Sequence, residues 1–256
     1  MNALILAAGY ATRLYPLTLK KAKPLLEVAG KPIIERIVDN LSKVSGLGTI
    51  YIVTNDKFAG DFQAWASGYQ NRQPNLKLKV INDGSKSDDD KLGAIGDINF
   101  VLNREELGKQ DLLILAGDNL FTGSLKDFVA FAKNTEATVA VHDVGDWEII
   151  KKYGNIDIDS EGTITHFEEK PEKPRSTLAA IAIYYYSRKV LALFPTYLAA
   201  GNNPDQPGRF VQWLYARQPV KAFQLKGKWI DIGSKEGLEK ADEMFANVKN
   251  GSAAPT

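Results

Sequence analysis

The sequence predicts an α/β protein, in which a Rossmann-like, mostly parallel mixed sheet with helices on both faces is followed by a smaller strand-rich lobe. In the first half of the 256 residues, short apolar runs alternate with amphipathic stretches, which is the order of βαβ units. After residue 137 the pattern changes, because strand-like runs follow one another with few helical stretches between them. An apolar content of 44% is ordinary for a globular chain that buries a sizeable core.

Each element of the first half follows from its own pattern. The uninterrupted apolar run at residues 3–8 predicts a buried strand, and residues 9–30, which contain Gly, Thr and Pro, predict a long loop. Pro32 opens an amphipathic helix whose apolar positions continue to Val44. Further strands are predicted at Thr49–Thr54 and at residues 76–81 and 111–116, and further helices at residues 58–69 and 91–102 and at Leu125–Ala132.

The second half predicts a more antiparallel lobe that packs against the first. Its strands are predicted at residues 137–142, 163–168 and 220–225 and at Leu178–Tyr186, and Ser234 is the predicted N-cap of a last helix. The division is therefore an α/β lobe over residues 1–136 and a second lobe with the last helix over residues 137–248, together one compact domain. Residues 249–256 are predicted to form a flexible tail.

Composition and charge argue against several classes of protein. The formal net charge is +1, so no overall field attracts nucleic acid or an acidic membrane surface, and neither is expected as a partner. The chain has no cysteine, which excludes disulfides, thiolate metal sites and a cysteine nucleophile. No segment approaches the roughly 20 apolar residues that a membrane span needs, and we expect a cytoplasmic protein.

The first candidate site lies where the first predicted strand meets its loop. Residues 6–14 read LAAGYATRL, and Lys23-Pro24 follows. Small residues after a strand can present backbone N–H groups to a phosphate, Arg13 can bind phosphate oxygens in bidentate fashion, and Lys23 adds a positive charge. The segment has neither the GKS or GKT of a Walker loop nor the GxGxxG of a dinucleotide fold. On these residues alone, an ordinary βα loop with exposed basic side chains fits equally well.

Three shorter motifs complete the candidate site. Asp118 follows a predicted parallel strand, at the end where such sheets bind ligands, and it suits Mg²⁺, although a lone aspartate here is more simply explained by an Asx-type turn. FEEKP at residues 167–171 ends another strand, and WIDIG at residues 229–233 contains Asp231. Taken alone, the FEEKP charges are those of a solvated strand end, and Trp229 packs in a core as readily as against a ligand.

The four motifs resemble those of the sugar nucleotidyltransferase family, also called the nucleotide-sugar pyrophosphorylases. The family signature LAxGxGTRLxPLTxxxPKPL is similar to LAAGYATRLYPLTLKKAKPL at residues 6–25, and the family's GD, EEKP and WxDxG motifs match the other three. Ala11 replaces a signature glycine and Ala22 a signature proline, and the family often has glycine where Ala182 stands. If position 11 needs a positive φ, alanine is strained there.

The resemblance, closest to glucose-1-phosphate thymidylyl- and uridylyltransferases, implies an enzyme that joins a nucleoside triphosphate to a sugar 1-phosphate and releases pyrophosphate. UTP or dTTP is favoured, the nucleotide binds in the first lobe, the sugar phosphate binds in the second, and the family is often homo-oligomeric. The implied catalytic residues are Arg13, Lys23, Asp118, Lys170 and Asp231, with Mg²⁺ bound by the two aspartates. The implied nucleotide-binding residues are Leu6, Ala8, Gly9, Ala11 and Thr12, with Asn82 and Gly93 as candidate base contacts. The implied sugar-phosphate-binding residues are Tyr153, Gly154, Glu169, Lys170, Tyr184 and Trp229, although Tyr184 suits core packing nearly as well.

Three alternatives differ in what they bind or convert. A regulatory member of the same fold, which binds nucleotide sugars without converting them, would explain Ala11 and Ala22, but the charged motif residues are all retained. A dinucleotide-dependent oxidoreductase is disfavoured by the missing GxGxxG. A transferase with another phosphorylated acceptor is disfavoured by the EEKP and WxDxG motifs.

Overall fold

The apolar runs of the first half form the strands of a parallel sheet. The strands of the first half are β1 (Asn2–Leu6), β2 (Glu27–Val28), β3 (Lys31–Pro32), β4 (Thr49–Thr54), β5 (Lys77–Asn82), β6 (Leu112–Ala116) and β7 (Asn119–Phe121), and its helices are α1 (Ile33–Leu41), α2 (Ala59–Arg72), α3 (Ala94–Arg104) and α4 (Leu125–Ala132). Of these strands, β1, β4, β5 and β6 belong to the parallel sheet, whereas β2 and β3 pair only with each other. β1 pairs in parallel with β4 and β6, and β4 pairs in parallel with β5, as βαβ units require. The computed structural model describes residues 1–249 of the chain.

The second half extends the same sheet with antiparallel strands. Its strands are β8 (Ala137–Asp143), β9 (Gly154–Ile158), β10 (Ile164–Glu169), β11 (Leu178–Tyr186), β12 (Lys221–Gln224) and β13 (Trp229–Asp231), and its helices are α5 (Arg188–Leu191), α6 (Phe194–Ala199), α7 (Pro207–Leu214) and α8 (Lys235–Lys249). β11 pairs antiparallel with β6, and the sheet runs β10-β9-β11-β6-β1-β4-β5, with β8 paired to β11 and β12 paired in parallel to β8. β13 lies outside this sheet and pairs with β7. The predicted α/β class with a mixed sheet is therefore confirmed, and one continuous sheet joins the two predicted lobes.

Two apolar cores lie on opposite faces of this sheet. Side chains alternate along β1, so Ala3 and Ile5 belong to the core under α1 and α4, whereas Leu4 belongs to the core under α3 and α7. All three residues are fully buried. Burial on both faces explains why the first strand is an uninterrupted apolar run, and it leaves the carboxyl end of the strand as the place where a ligand can bind.

The structure departs from the sequence prediction where elements are short. The helix predicted from residue 91 begins at Ala94, because Gly93 before it has a φ of 77°. Residues 187–219, for which the sequence predicted no element, contain α5, α6 and α7, and the short strands β7, β9 and β13 were also not predicted. Lys249 ends α8, and the rest of the predicted tail lies outside the described residues. Within residues 1–249, none of the helices combines the length and apolar character needed to cross a bilayer.

Candidate active site

A cleft of about 1020 Å³ opens at the carboxyl ends of β1 and β6 and gathers most of the sequence-predicted residues. They are Leu6, Ala8, Gly9, Ala11, Arg13, Lys23, Gly93, Asp118, Tyr153, Gly154, Glu169, Lys170, Tyr184, Trp229 and Asp231. Thr12 and Asn82 do not line it. Thr12 is exposed, and the Asn82 side chain is engaged elsewhere, since its Nδ2 donates to Asp56 at 2.7 Å and its Oδ1 accepts from the Gly84 N–H at 2.8 Å. The nucleotide-binding roles of these two residues remain predictions.

The loop after β1 combines a left-handed turn with unused backbone donors. Ala11 has a φ of 49° and a ψ of 44°, so this position does require the left-handed region that glycine adopts without steric cost. Among residues 1–249, the N–H groups of Ala8, Gly9 and Ala11 have no hydrogen-bond acceptor. Neighbouring free N–H groups on a turning backbone form a concavity that suits an anion such as a phosphate.

The two predicted metal-binding aspartates come together across a short antiparallel ladder. β13 pairs with β7 so that Asp231 lies opposite Asn119, the residue after Asp118. The Ile232 N–H also donates to the Asp118 carbonyl oxygen at 3.3 Å. Two motifs that are far apart in the chain are thus held side by side by backbone hydrogen bonds.

Lys23 joins the first motif to this pair of aspartates. Its Nζ donates to Asp118 Oδ2 at 2.7 Å, and its side chain is only 10% exposed. The approach depends on Gly117, because a Cβ at that position would lie 2.9 Å from the Leu6 carbonyl oxygen and 3.1 Å from Pro24 Cγ. The glycine of the GD motif therefore lets the Lys23-Pro24 segment reach the aspartate.

Opposing charges surround Asp231. Burial, and then the negative charge of Asp118, raise the pKa of Asp231 to about 6, while Lys23, Arg13 and Lys170 act in the opposite direction. Two carboxylates this close repel each other when both are ionised, and a divalent cation between them would relieve that repulsion. Mg²⁺ commonly takes one or two carboxylates and completes its shell with water and phosphate oxygens, so this donor set fits Mg²⁺. No group of three or more acidic or histidine ligands exists among the described residues.

The opposite wall of the cleft is built by the β9–β10 ladder. Gly154 pairs with Glu169, and the Lys170 N–H donates to the Tyr153 carbonyl oxygen at 3.0 Å. A side chain at Gly154 would meet the Phe167 ring at 2.7 Å. Burial raises the pKa of Glu169, and the Lys170 charge partly offsets this. The YG and EEKP motifs therefore form one surface, as the resemblance implied.

Aromatic side chains close this end of the cleft. The rings of Tyr153 and Trp229 meet edge to face at 4.8 Å, and the Trp229 Nε1 is buried without a hydrogen-bond partner among the described residues. Burial, followed by the charges of Asp231 and Asp118, raises the pKa of Tyr153 to about 12, so its hydroxyl is neutral at physiological pH. Tyr184 is 3% exposed and stacks on Tyr186, so it packs in the core and also reaches the cleft wall.

Several lining residues were missed by the sequence analysis. They include Lys91, Asp97, Lys151, Lys152, Asp205 and Gly208. Lys151 and Lys152 could have been found, because they directly precede the Tyr153-Gly154 motif. Asp97 carries only a weak signal, an acidic residue in the first turn after Gly93. Asp205 and Gly208 reach the cleft only because the chain before α7 packs against α3, through the Ile95 N–H to Pro204 carbonyl hydrogen bond of 2.7 Å.

Known proteins that resemble this chain have related names. A glucose-1-phosphate adenylyltransferase from Bacillus subtilis is 30% identical over 259 residues, which cover 94% of this chain and 66% of the relative. A glucose-1-phosphate thymidylyltransferase from Neisseria gonorrhoeae is 28% identical over 258 residues, which cover 98% of this chain and 84% of the relative. The solved structure of a UDP-glucose pyrophosphorylase complexed with UDP-glucose has a TM-score of 0.80 at 23% identity, and the match covers 96% of this chain and 98% of that one.

The family assignment depends on the extent of these matches. At 23% identity the structural likeness shows that the fold is shared. The first curated relatives are longer, and this chain spans 55% to 66% of their length. The sequence model of the family described as nucleotidyl transferase matches residues 2–247. Because that match covers nearly the whole chain, the protein belongs to the nucleotidyl transferase family.

Proposed function

We propose that this protein is a sugar-1-phosphate nucleotidyltransferase, which joins a nucleoside triphosphate to a sugar 1-phosphate and releases pyrophosphate. The observation that carries the proposal is the convergence of Asp118 and Asp231 with Arg13, Lys23 and Lys170 in one cleft. The free N–H groups of the β1 loop lie on one side of this cluster and the YG and EEKP surface on the other. This arrangement offers separate places for two phosphorylated substrates and a charged centre between them.

The reaction needs little acid–base chemistry from the protein. A phosphate monoester has a second pKa of about 6, so the attacking oxygen of the sugar phosphate is already anionic at neutral pH. That oxygen bonds to the α-phosphorus, and the bond from the α-phosphorus to the bridging oxygen breaks, with its electron pair leaving on pyrophosphate. No general base is required, which agrees with the fact that neither His142 nor His166 lines this cleft.

The barrier is electrostatic, because two anions must meet and charge moves to the leaving group. Arg13, beside the free N–H groups of the loop, would bind the departing pyrophosphate. Lys23 would hold the nucleotide phosphates in line, exchanging its contact with Asp118 for phosphate oxygens. Lys170 would orient the sugar phosphate. Loss of one such contact typically costs on the order of 3 kcal/mol of barrier, or about 100-fold in rate.

Asp118 and Asp231 would hold Mg²⁺, which when bound supplies positive charge to the phosphate oxygens. The mutual repulsion of the two carboxylates and their place between the two substrate walls support this role. UTP or dTTP is the favoured nucleotide, on the resemblance of the motifs, although the relatives' names include adenylyl as well as thymidylyl transfer. A homo-oligomer is likewise proposed from the resemblance alone.

A pyrophosphate-release assay tests the proposal. The protein is incubated with Mg²⁺ and each of UTP, dTTP, CTP, GTP and ATP, in combination with several hexose 1-phosphates. We expect release that requires both a nucleotide and a sugar phosphate. If folded protein binds a nucleotide sugar but releases no pyrophosphate with any pair of substrates, it is a regulatory member of the fold and not an enzyme.

A further inference from the structure

A second acidic pair lies where the chain after β5 meets the first turn of α3, and in the strand order β6-β1-β4-β5 this is three strands away from β6, which Asp118 follows. Asp97 lies in the first turn of α3, is 5% exposed and lines the cleft beside Gly93. The Asp97 N–H donates to the Gly93 carbonyl oxygen at 2.7 Å. Asp83 follows β5, and its Oδ1 accepts from the Ser85 N–H and hydroxyl, both at 2.7 Å. The sequence motifs assign neither aspartate a role.

The two carboxyl groups each have one buried oxygen without a donor. Asp97 Oδ1 and Asp83 Oδ2 are both inaccessible to water and have no hydrogen-bond partner among the described residues. The Asp97 side chain is within hydrogen-bonding reach of Asp83, so one proton shared between the carboxyl groups satisfies both oxygens. Burial, and then the charge of Asp83 and its hydrogen bond, raise the pKa of Asp97 to about 8, with a smaller contribution from Asp205.

The shared proton decides what Asp97 offers to a ligand. Because the proton lies between the two aspartates, the remaining Asp97 oxygen is a hydrogen-bond acceptor on the cleft side. The Gly93 N–H lies in the same cleft wall as Asp97, has no acceptor among the described residues and is a donor. Uracil and thymine present the complementary edge, a single imide N–H between two carbonyl oxygens, whereas adenine and cytosine have no N–H at that ring position.

We propose that Asp97 is a specificity-determining residue that reads the nucleobase, by accepting the imide N3–H of uracil or thymine with its free carboxyl oxygen. Asp83 is its positioning residue. The inference rests on the proposed function, because a nucleotide must occupy this cleft. A base that lacks the N–H would leave a buried acceptor unpaired, and sites of this kind reject such analogues strongly.

The pair also makes nucleotide binding depend on pH. The charged groups that act on Asp97 are Asp83 and Asp205, and Lys91 in the same wall is bound to Asp88 at 3.1 Å and Asp205 at 3.5 Å. As the pH rises above 8, the shared proton is lost and two adjacent carboxylates repel each other. Nucleotide affinity is then expected to fall between pH 7 and pH 9.

Calorimetric binding of dTTP, UTP and their N3-methyl derivatives tests this without requiring turnover. Wild-type protein should bind each N3-methyl derivative at least about 10-fold more weakly than its parent. Asp97→Ala should bind parent and derivative equally weakly. Asp97→Asn, whose amide donates to Asp83 and leaves an oxygen in the cleft, should still bind each parent nucleotide more tightly than its N3-methyl derivative, and it should lose the decline towards pH 9. Asp127→Ala, an exposed change on α4, is the control.

The outcomes separate this inference from the proposed function. Equal binding of parent and N3-methyl nucleotides by the wild type would overturn the role of Asp97, even if pyrophosphate is released. A pH profile of Asp97→Asn that matches the wild type would overturn the shared proton. Discrimination that disappears in Asp97→Ala supports the inference, and it would do so even if no sugar phosphate supported turnover, in which case only the proposed function fails.

Discussion

The two ends of the cleft use charge in opposite ways. At the phosphate end, opposite charges meet, as in the 2.7 Å contact between Lys23 Nζ and Asp118 Oδ2. At the end that we propose binds the base, two acidic groups meet: Asp83 Oδ2 and Asp97 Oδ1 are both buried without a donor, and the proposed shared proton would make them compatible. The first arrangement suits the binding and release of anions, and the second suits the reading of a neutral base edge.

The difference separates the expected effects of substitution. Changes at the phosphate end should lower the rate, because charge develops there during the reaction. Changes at the proposed base end should alter affinity, base preference and pH dependence, because the proposed reaction takes place at the other end. A substitution at the phosphate end that alters base preference, or one at the base end that lowers only the rate, would contradict this comparison.

The largest effect is expected at the aspartate pair. Asp118→Asn and Asp231→Asn should each lower pyrophosphate release about 100-fold or more. Each removes a carboxylate that would hold the cation, and the positive charge of the cation would compensate the phosphates. Asparagine has the same shape, so the fold should be kept. Steady-state release with saturating substrates is the measurement, and the exposed Asp127→Asn is the control. Near-normal turnover by either variant would refute the metal assignment.

The raised pKa of Asp97 predicts that the stability of the folded protein depends on pH. The pKa of folded Asp97 is raised to about 8, above its ordinary 3.8, so the folded protein holds a proton that the unfolded chain releases between pH 4 and 8. The contribution of Asp97 to the free energy of unfolding therefore falls as the pH rises through this window, by on the order of 6 kcal/mol for a shift of about four units at about 1.4 kcal/mol per unit. Asp97→Asn cannot ionise, so its urea-unfolding free energies should decline less with pH. Parallel profiles for the two proteins would contradict a raised pKa.

Lys170 should separate the two substrates. Its position at the end of β10 beside Tyr153 predicts that Lys170→Ala weakens sugar 1-phosphate binding on the order of 10-fold, because a charge-assisted contact is lost. Nucleotide affinity should change much less. Dissociation constants for both ligands provide the measurement, with the exposed Lys173→Ala as a matched control. Unchanged sugar-phosphate affinity would place that substrate elsewhere.

The smallest effect concerns the loop backbone. Ala11 has a φ of 49°, so Ala11→Gly should raise the free energy of unfolding by about 1 kcal/mol. Ala130→Gly, an exposed change within α4, should instead lower it by about 0.5 to 1 kcal/mol. Chemical denaturation of the two variants gives the comparison. Equal losses of stability would show that the left-handed conformation at residue 11 is not strained.

The parts of the molecule that the sequence predicted are those with strong local patterns. The apolar run at residues 3–8 predicted β1, because a strand that is buried on both faces is apolar without alternation. The α/β class followed because such runs alternate with amphipathic stretches in the first half of the chain. β7 and β13, three residues each, are too short for any periodicity, yet their pairing brings Asp118 and Asp231 together. The Asp83–Asp97 pair depends on how the end of β5 meets the first turn of α3, which is a tertiary contact that no local pattern encodes.

Cation binding by Asp118 and Asp231 tests the proposed catalytic site most directly. Mn²⁺ can report on the Mg²⁺ site by electron paramagnetic resonance, in the presence of a nucleotide whose bond between the α-phosphorus and the leaving group cannot be cleaved. If Asp118 and Asp231 share the cation, wild-type protein should bind Mn²⁺ at least about 10-fold more tightly than Asp231→Asn, in line with the loss of one of two carboxylate ligands. Equal affinities in the two proteins would contradict a cation shared by these aspartates.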